Sequence, residues 1–146
     1  MANIRYAANY TATVNANPKH IWATWSDPKK WTSLDNGNKA VTVTEKDGFG
    51  VGTVVRLTLR NGQTVDVRLT EVSEGKAFAD ETTLPYGVVR TFHKMEPSGK
   101  NLIVSYVIEA DIAEKSADAF EHEFWPNLLE GIPHQVHNVV AIAKAG

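Results

Sequence analysis

Residues 116–145 read SADAFEHEFWPNLLEGIPHQVHNVVAIAKA, and apolar side chains recur through this stretch at steps of three or four. That spacing places them along one side of an α-helix. The resulting stripe consists of Phe120, Phe124, Leu128, Ile132, Val136, Val139 and Ala143. The stretch therefore predicts one long terminal helix, which needs a sheet against which to bury its apolar side.

Nearly everything before this helix has the two-residue period of β-strands. Residues 6–16 form the first predicted strand, and residues 39–111 form six more, separated by short turns. Connections this short imply antiparallel neighbours, because parallel strands need a long crossover. A curved sheet of this kind, closed over one terminal helix, encloses a space.

Two short helices are expected between the first and second strands. Asn17-Pro18 supplies an N-cap followed by proline at the first helical position, which predicts a helix over residues 20–25. Ser26-Asp27-Pro28 ends that helix and starts another over residues 29–34. The order β-α-α-β6-α describes a single α+β domain over residues 1–146, with about seven strands.

The composition is that of a globular protein, with 42% hydrophobic and 22% charged residues in 146. The 15 Lys and Arg and 17 Asp and Glu form no block of like charge, so neither nucleic acid nor an anionic membrane is an expected partner. No segment has the length of a membrane span and the N-terminus does not resemble a signal peptide, so we expect a cytoplasmic location. The composition leaves the oligomeric state open.

Strand alternation predicts which side chains face the enclosed space. Arg90 and Lys94 share one face of their strand, which leaves Thr91 and His93 on the other. Burying a cation is costlier than exposing an apolar ring, so His93 should point inward. In the next strand the acidic residues face outward by the same argument, which turns Tyr106 inward.

The strand over residues 76–82 allows two orientations. Either the face with Phe78 and Asp80 points inward, or the face with Ala79 and Glu81 does. We prefer the first orientation because Phe78 offers more apolar area to bury. That choice also places Asp80 at the wall of the enclosed space.

Three segments resemble motifs of the SRPBCC superfamily, which includes START, birch-pollen-allergen and polyketide cyclase proteins. They are residues 17–28 (NPKHIWATWSDP) followed by Trp31, residues 48–53 (GFGVGT) before a strand, and residues 90–97 (RTFHKMEP). The resemblance covers nearly the whole chain in element order. It implies a helix-grip fold with a hydrophobic cavity between the sheet and the terminal helix. Members include ligand carriers, cyclases, dehydratases and chaperone-activating domains, so the fold does not decide the function.

Pro126 and Pro133 depart from the superfamily pattern, in which the terminal helix is often uninterrupted. Each proline removes a backbone donor and crowds the preceding turn. We expect a kink or break near Trp125-Pro126, with a second bend considered at Pro133. If the helix breaks at Pro126, then Phe124, Trp125 and Leu128 are the residues expected to gate access to the cavity.

The glycines of residues 48–53 superficially resemble a nucleotide-binding loop. The dinucleotide fingerprint, however, needs a strand before the loop and a helix after it. Here a strand follows, so a tight hairpin or bulge is the better interpretation.

Glu130, His134 and His137 are spaced so that they share one side of the terminal helix. Histidine and carboxylate are zinc ligands, and the absence of cysteine leaves a metal site to these residue types. Without a third evident ligand nearby, we favour a solvated helix surface and expect no metal site.

Two classes of function remain open, and whether the protein is an enzyme is undecided. The favoured one is binding of a hydrophobic or amphipathic small molecule, with no cofactor, between the sheet and the terminal helix. The residues expected to contact this ligand are Trp31, Leu57, Leu69, Phe78, Tyr86, Thr91, His93, Tyr106, Phe124 and Leu128. The alternative is an enzyme resembling the polyketide cyclases and dehydratases, with acid–base chemistry at His93, Tyr106 and Asp80. For His93 itself, a buried histidine paired for structural reasons is the preferred interpretation over catalysis.

Overall fold

The computed structural model describes residues 3–33, 38–43, 49–59 and 62–145. The strands in these ranges are β1 (Asn3–Val14), β2 (Asn38–Val43), β3 (Val54–Leu59), β4 (Thr64–Ser73), β5 (Ala77–Leu84), β6 (Gly87–Ser98) and β7 (Asn101–Ala113). The α-helices are α1 (Pro18–Trp25), α2 (Ala117–Glu123) and α3 (Trp125–Ala145), and Pro28–Ser33 and Glu114–Ser116 form 3-10 turns. The described strands make one antiparallel sheet in the order β1-β7-β6-β5-β4-β3-β2, which confirms the predicted helix-grip architecture.

The helix α1 begins where the sequence predicts. The Asn17 side chain caps it by accepting a 2.9 Å hydrogen bond from the Lys19 backbone N–H, and Pro18 follows at the first position. The expected second helix over residues 29–34 is instead a 3-10 turn over Pro28–Ser33, and its last predicted residue lies outside the described residues. A segment this short makes few α-helical hydrogen bonds, and its first turn closes through a 2.9 Å bond from the Lys30 N–H to the Asp27 carbonyl.

Two clusters of buried apolar side chains fill the concave side of the sheet. The large cluster lies beneath α1 and the C-terminal half of α3, and its buried members include Ile21, Trp25, Trp31, Leu69, Phe78, Val104, Val136 and Val139. The small cluster lies beneath α2 and the start of α3, and it includes Leu84, Val89, Ile108, Ile112, Phe120 and Ile132. Tyr10 and Tyr106 pack against both clusters and so mark the junction between them.

The convex face carries the charges, as the alternation of the strands predicts. Arg90 binds Asp111 at 2.7 Å and Glu81 at 3.3 Å, which links β5, β6 and β7 on that side. Glu81 therefore faces outward, whereas Asp80 and Phe78 are buried on the concave side. The structure confirms the preferred orientation of this strand.

The terminal segment is broken, but one residue earlier than the expected break at Trp125-Pro126. Phe124 separates α2 from α3 with φ −121° and ψ −49°. Pro126 has no N–H, so it cannot donate a helical hydrogen bond to the His122 carbonyl four residues earlier. The pattern of helical hydrogen bonds is interrupted at this point. The Phe124 N–H still bonds the Phe120 carbonyl at 3.0 Å. Pro133, by contrast, lies inside the continuous helix α3.

The glycine loop lies between β2 and β3, where the Thr53 N–H closes a tight turn onto the Gly50 carbonyl at 3.1 Å; the first residue of the loop lies outside the described ones. Gly52 has φ 93°, and its N–H donates to the Leu69 carbonyl at 2.8 Å. Leu69 in turn donates to the Thr53 carbonyl at 2.9 Å, and the strand β3 follows. This arrangement confirms the turn and excludes the dinucleotide fingerprint, which requires a helix at that point.

We expect Phe120→Ala to destabilise the protein by about 3–5 kcal/mol, because the ring is fully buried and its removal leaves a cavity. Urea denaturation monitored by tryptophan fluorescence measures the change. Leu129→Ala is the matched control, since that side chain is 41% exposed on α3 and its removal should cost about 0.5 kcal/mol. Equal losses in the two variants would contradict the placement of Phe120 in the small cluster.

Candidate functional site

A row of aromatic rings crosses the concave face at the junction of the two clusters. Phe78, His93, Tyr106 and Tyr10 are successive cross-strand partners on β5, β6, β7 and β1. The His93 ring stacks on Phe78 with centroids 4.0 Å apart and meets Tyr106 edge-on at 4.6 Å. Trp25 of α1 contacts the His93 ring edge-on at 5.6 Å from above the sheet. The imidazole is therefore enclosed by aromatic surface on three sides.

Asp80 lies in the next row of the same face. It is paired with Thr91 across β5 and β6, and the Thr91 hydroxyl donates a 2.6 Å hydrogen bond to its Oδ1. Both Asp80 and His93 are only 7% exposed. The concave face thus places a carboxyl and an imidazole side by side in an otherwise apolar interior.

Burial shifts the pKa of these two groups in ways that favour their neutral forms. Loss of hydration raises the pKa of Asp80 to about 7, an effect that the Thr91 hydrogen bond partly opposes. Loss of hydration lowers the pKa of His93 to about 3, which an interaction with the Phe78 backbone weakly opposes. Near neutral pH, His93 is therefore uncharged and Asp80 is close to half-ionised.

One nitrogen of His93 is left unsatisfied. Its Nδ1 atom is buried and has no hydrogen-bond partner among the residues that the structure describes. A buried polar atom without a partner costs about 1–3 kcal/mol, so a partner supplied by a bound molecule would be favourable.

Some inward-facing side chains around the buried Phe78, Asp80 and His93 retain exposure. They are Leu57, Thr82, Thr91, Tyr106 and Tyr10, which are half-buried on the concave side. The helix α3 packs mainly on α1, β1 and β7, which leaves the inner face of β4, β5 and β6 less covered. Exposure on an inward face requires open space beside it, so open space adjoins Thr82 and Thr91, the neighbours of Asp80 along β5 and across to β6.

The structure brings most of the sequence-predicted ligand residues to this space. Trp31 stacks on Phe78 with centroids 5.9 Å apart, and Leu69 lies directly across from Asp80 on β4. Leu57 belongs to the edge of the large cluster. With Thr91, His93 and Tyr106, these residues share one region of the concave face.

Three predicted ligand residues lie elsewhere. Tyr86, Phe124 and Leu128 pack against the small cluster, near the break between α2 and α3. The Tyr86 hydroxyl donates to Glu123 Oε2 at 2.9 Å, which fixes it at the protein surface. They belong to a second, aromatic part of the interior.

Two residues near the site were not among those named above as expected ligand contacts. Trp25 contacts both Phe78 and His93, and Tyr10 bonds His137 Nε2 through its hydroxyl at 2.8 Å. Both contacts join elements that are far apart in sequence. The alternation of residues in β1, which turns Tyr10 inward, is the sequence pattern that could have identified it.

The histidines of α3 do not assemble with Glu130 into a metal-binding group. His137 bonds Tyr10, whereas Glu130 and His134 are exposed. No cluster of three potential metal ligands is found among the described residues.

The opposite pKa shifts of Asp80 and His93 predict opposite effects of pH on stability. Asp80 ionises near pH 4 in the unfolded chain and near pH 7 in the folded protein, so its burial destabilises the fold increasingly as pH rises through that window. His93 is protonated below about pH 6.5 when unfolded and below about pH 3 when folded, so its burial destabilises the fold as pH falls through that window.

We therefore expect the free energy of unfolding of Asp80→Asn, relative to the parent protein, to rise between pH 4 and pH 7. The rise should be roughly 4 kcal/mol at most, since one pKa unit corresponds to about 1.4 kcal/mol. Urea denaturation at each pH measures it. The control Glu81→Gln removes a neighbouring carboxylate from the convex face, where a surface ion pair contributes at most about 1 kcal/mol. If the difference in unfolding free energy between Asp80→Asn and the parent does not change with pH, the raised pKa of the buried Asp80 carboxyl is wrong.

Solved structures with this fold come from several kinds of protein. Norcoclaurine synthase from Thalictrum flavum superposes with a TM-score of 0.76 at 14% identity, over 99% of this chain and 98% of that one. Major latex-like protein 151 from Panax ginseng has a TM-score of 0.74 at 10% identity, over 95% and 97% of the two chains. The di-domain ARO/CYC protein StfQ of the steffimycin biosynthetic pathway has a TM-score of 0.79 at 11% identity, over 97% of this chain and 51% of that one. Identities this low establish the common fold alone.

None of the described helices is long and apolar enough to cross a membrane. No functionally curated protein matches the sequence. The family described as polyketide cyclase / dehydrase and lipid transport matches residues 6–141. This chain belongs to that family, and with it to the SRPBCC superfamily.

Proposed function

We propose that the protein binds a hydrophobic or amphipathic small molecule between the sheet and α3. The observation that carries this proposal is the retained exposure of inward-facing Thr82, Thr91 and Tyr106 beside the buried Asp80 and His93. Apolar walls with a few polar groups are typical of ligand sites. The unsatisfied Nδ1 of His93 and the carboxyl of Asp80 supply polar groups that can orient a ligand.

The walls of the proposed site suit a flat, ring-containing molecule. Phe78 and Trp31 stack in parallel, and Tyr106 and Trp25 present ring edges to His93. Aromatic surfaces of this kind bind rings through offset-stacked and edge-to-face contacts. Beside the helix break, the small cluster is bordered by Phe124, Trp125 and Leu128, which are the proposed gate.

We expect Thr82→Phe to abolish binding by filling the space. A panel of aromatic, lipid and polyketide-like compounds should raise the Tm of the parent protein and quench its tryptophan fluorescence, and the variant should lose at least about tenfold in affinity. Thr83→Phe is the matched control because it adds the same ring to the exposed side of β5. A panel that leaves the Tm of the parent protein unchanged would refute the proposed function.

A catalytic role is the second candidate, and the position of Asp80 favours it. A buried carboxyl with a pKa of about 7 can exchange protons at neutral pH, whereas His93, with a pKa of about 3, is a weak base there. In a dehydration, Asp80 would take a proton from a carbon beside a carbonyl and return it to the leaving hydroxyl, which departs as water. His93 and Tyr106 would then position the substrate.

This second candidate predicts a turnover that rises through a pKa near 7 and falls about 10²–10⁴-fold in Asp80→Asn. Mass spectrometry can detect the loss of water from poly-β-ketone substrates. Glu81→Gln should retain full turnover. Unchanged turnover in Asp80→Asn would exclude Asp80, and unchanged turnover in His93→Ala would exclude a role for the imidazole.

A further inference from the structure

Asp80 introduces an acidic group into an interior that holds no described cation. Every lysine and arginine whose side chain the structure describes lies on the convex face, on an exposed side of a helix or in a surface turn. The convex charges are paired with one another, as in the Arg90 contacts with Glu81 and Asp111. They neutralise no charge on the opposite face.

The neighbours of Asp80 can stabilise its charge only in part. Thr91 donates one hydrogen bond to Oδ1. The facing residue on β4 is Leu69, and the titratable groups on the concave face of the neighbouring β6 and of β7 beyond it include His93 and Tyr106. The titratable groups of α3 are exposed, and one of them, His137, is bonded to Tyr10; they are Glu130, His134, His137 and Lys144.

The surroundings of this carboxyl are well suited to an organic cation. Phe78 lies two residues away on the same face of β5, and its ring is stacked with His93 and in edge contact with Trp25. Aromatic ring faces attract ammonium groups, and the attraction strengthens when water is excluded. A carboxylate beside such rings can hold an ammonium group through a charge-assisted hydrogen bond.

We propose that Asp80 makes the interior site selective for arylalkylamines in their ammonium form and unfavourable for carboxylates. This inference rests on the proposed binding function and names the ligand class of the same site. The aromatic rings would bind the aryl group, and Asp80 would bind the ammonium group. A carboxylate ligand would instead meet a like charge at Asp80.

The test compares three probes of similar shape that differ in charge: 2-phenylethylamine, 2-phenylethanol and 3-phenylpropanoate. Isothermal titration calorimetry at pH 8.5 should give an affinity for the amine about 10- to 100-fold above that of the alcohol, with the carboxylate weakest. Between pH 6 and pH 8.5 the amine affinity should increase, because Asp80 ionises in that range while the amine stays charged. The alcohol affinity should change little.

Asp80→Asn keeps the shape and the Thr91 hydrogen bond but removes the charge. We expect it to lose about tenfold or more of the amine affinity and to lose the pH dependence of amine binding. Glu81→Gln, a charge removal on the convex face, should bind all three probes as the parent does. Circular dichroism and the Tm of each variant establish that it is folded.

The outcomes separate the inference from the function on which it rests. If the alcohol binds as tightly as the amine, or if Asp80→Asn retains the amine affinity, the charge selectivity is wrong and the binding function stands. If none of the three probes binds and the wider panel also leaves the Tm unchanged, both are wrong.

Discussion

Strand register is the constraint on which the rest of this structure depends. Phe78, His93, Tyr106 and Tyr10 face inward together because they are paired in one row across four antiparallel strands. A shift of one residue in any pairing would turn half of that row toward solvent and bring convex-face charges inside. Tyr10 extends the row to α3 through its hydrogen bond to His137, so the same register also sets the position of the helix over the sheet.

Stabilising apolar clusters lie at the two ends of the interior, and buried polar groups lie between them. At each end, apolar clusters bury large side chains such as Phe120 and Ile21 completely. Between them, Asp80 and His93 are buried at a cost, because each gives up hydration that the surrounding groups only partly replace. Proteins retain such unfavourable groups mostly where a ligand or a reaction uses them. The buried clusters supply the stability that allows the centre to remain polar.

Much of this arrangement could be predicted from the sequence because it follows local rules. The cap at Asn17, the antiparallel order and the inward orientation of His93 and Tyr106 each depend on residues close in sequence. What the sequence did not reveal depends on distant contacts. Trp25 reaches His93 from another element, and Tyr86 is drawn to Glu123 and away from the polar centre. The helix is interrupted at Phe124, before the proline itself, because Pro126 cannot donate a hydrogen bond to the carbonyl one turn before it.

The break at Phe124 also divides the terminal segment into two independently anchored parts. The helix α2 is held by ring contacts of Phe120 with Tyr6, whereas α3 is held at its far end by the hydrogen bond between His20 and the Ala143 carbonyl. Phe124 is therefore the junction between two helices that are attached to different parts of the structure, and the position of each over the sheet is fixed by its own contacts.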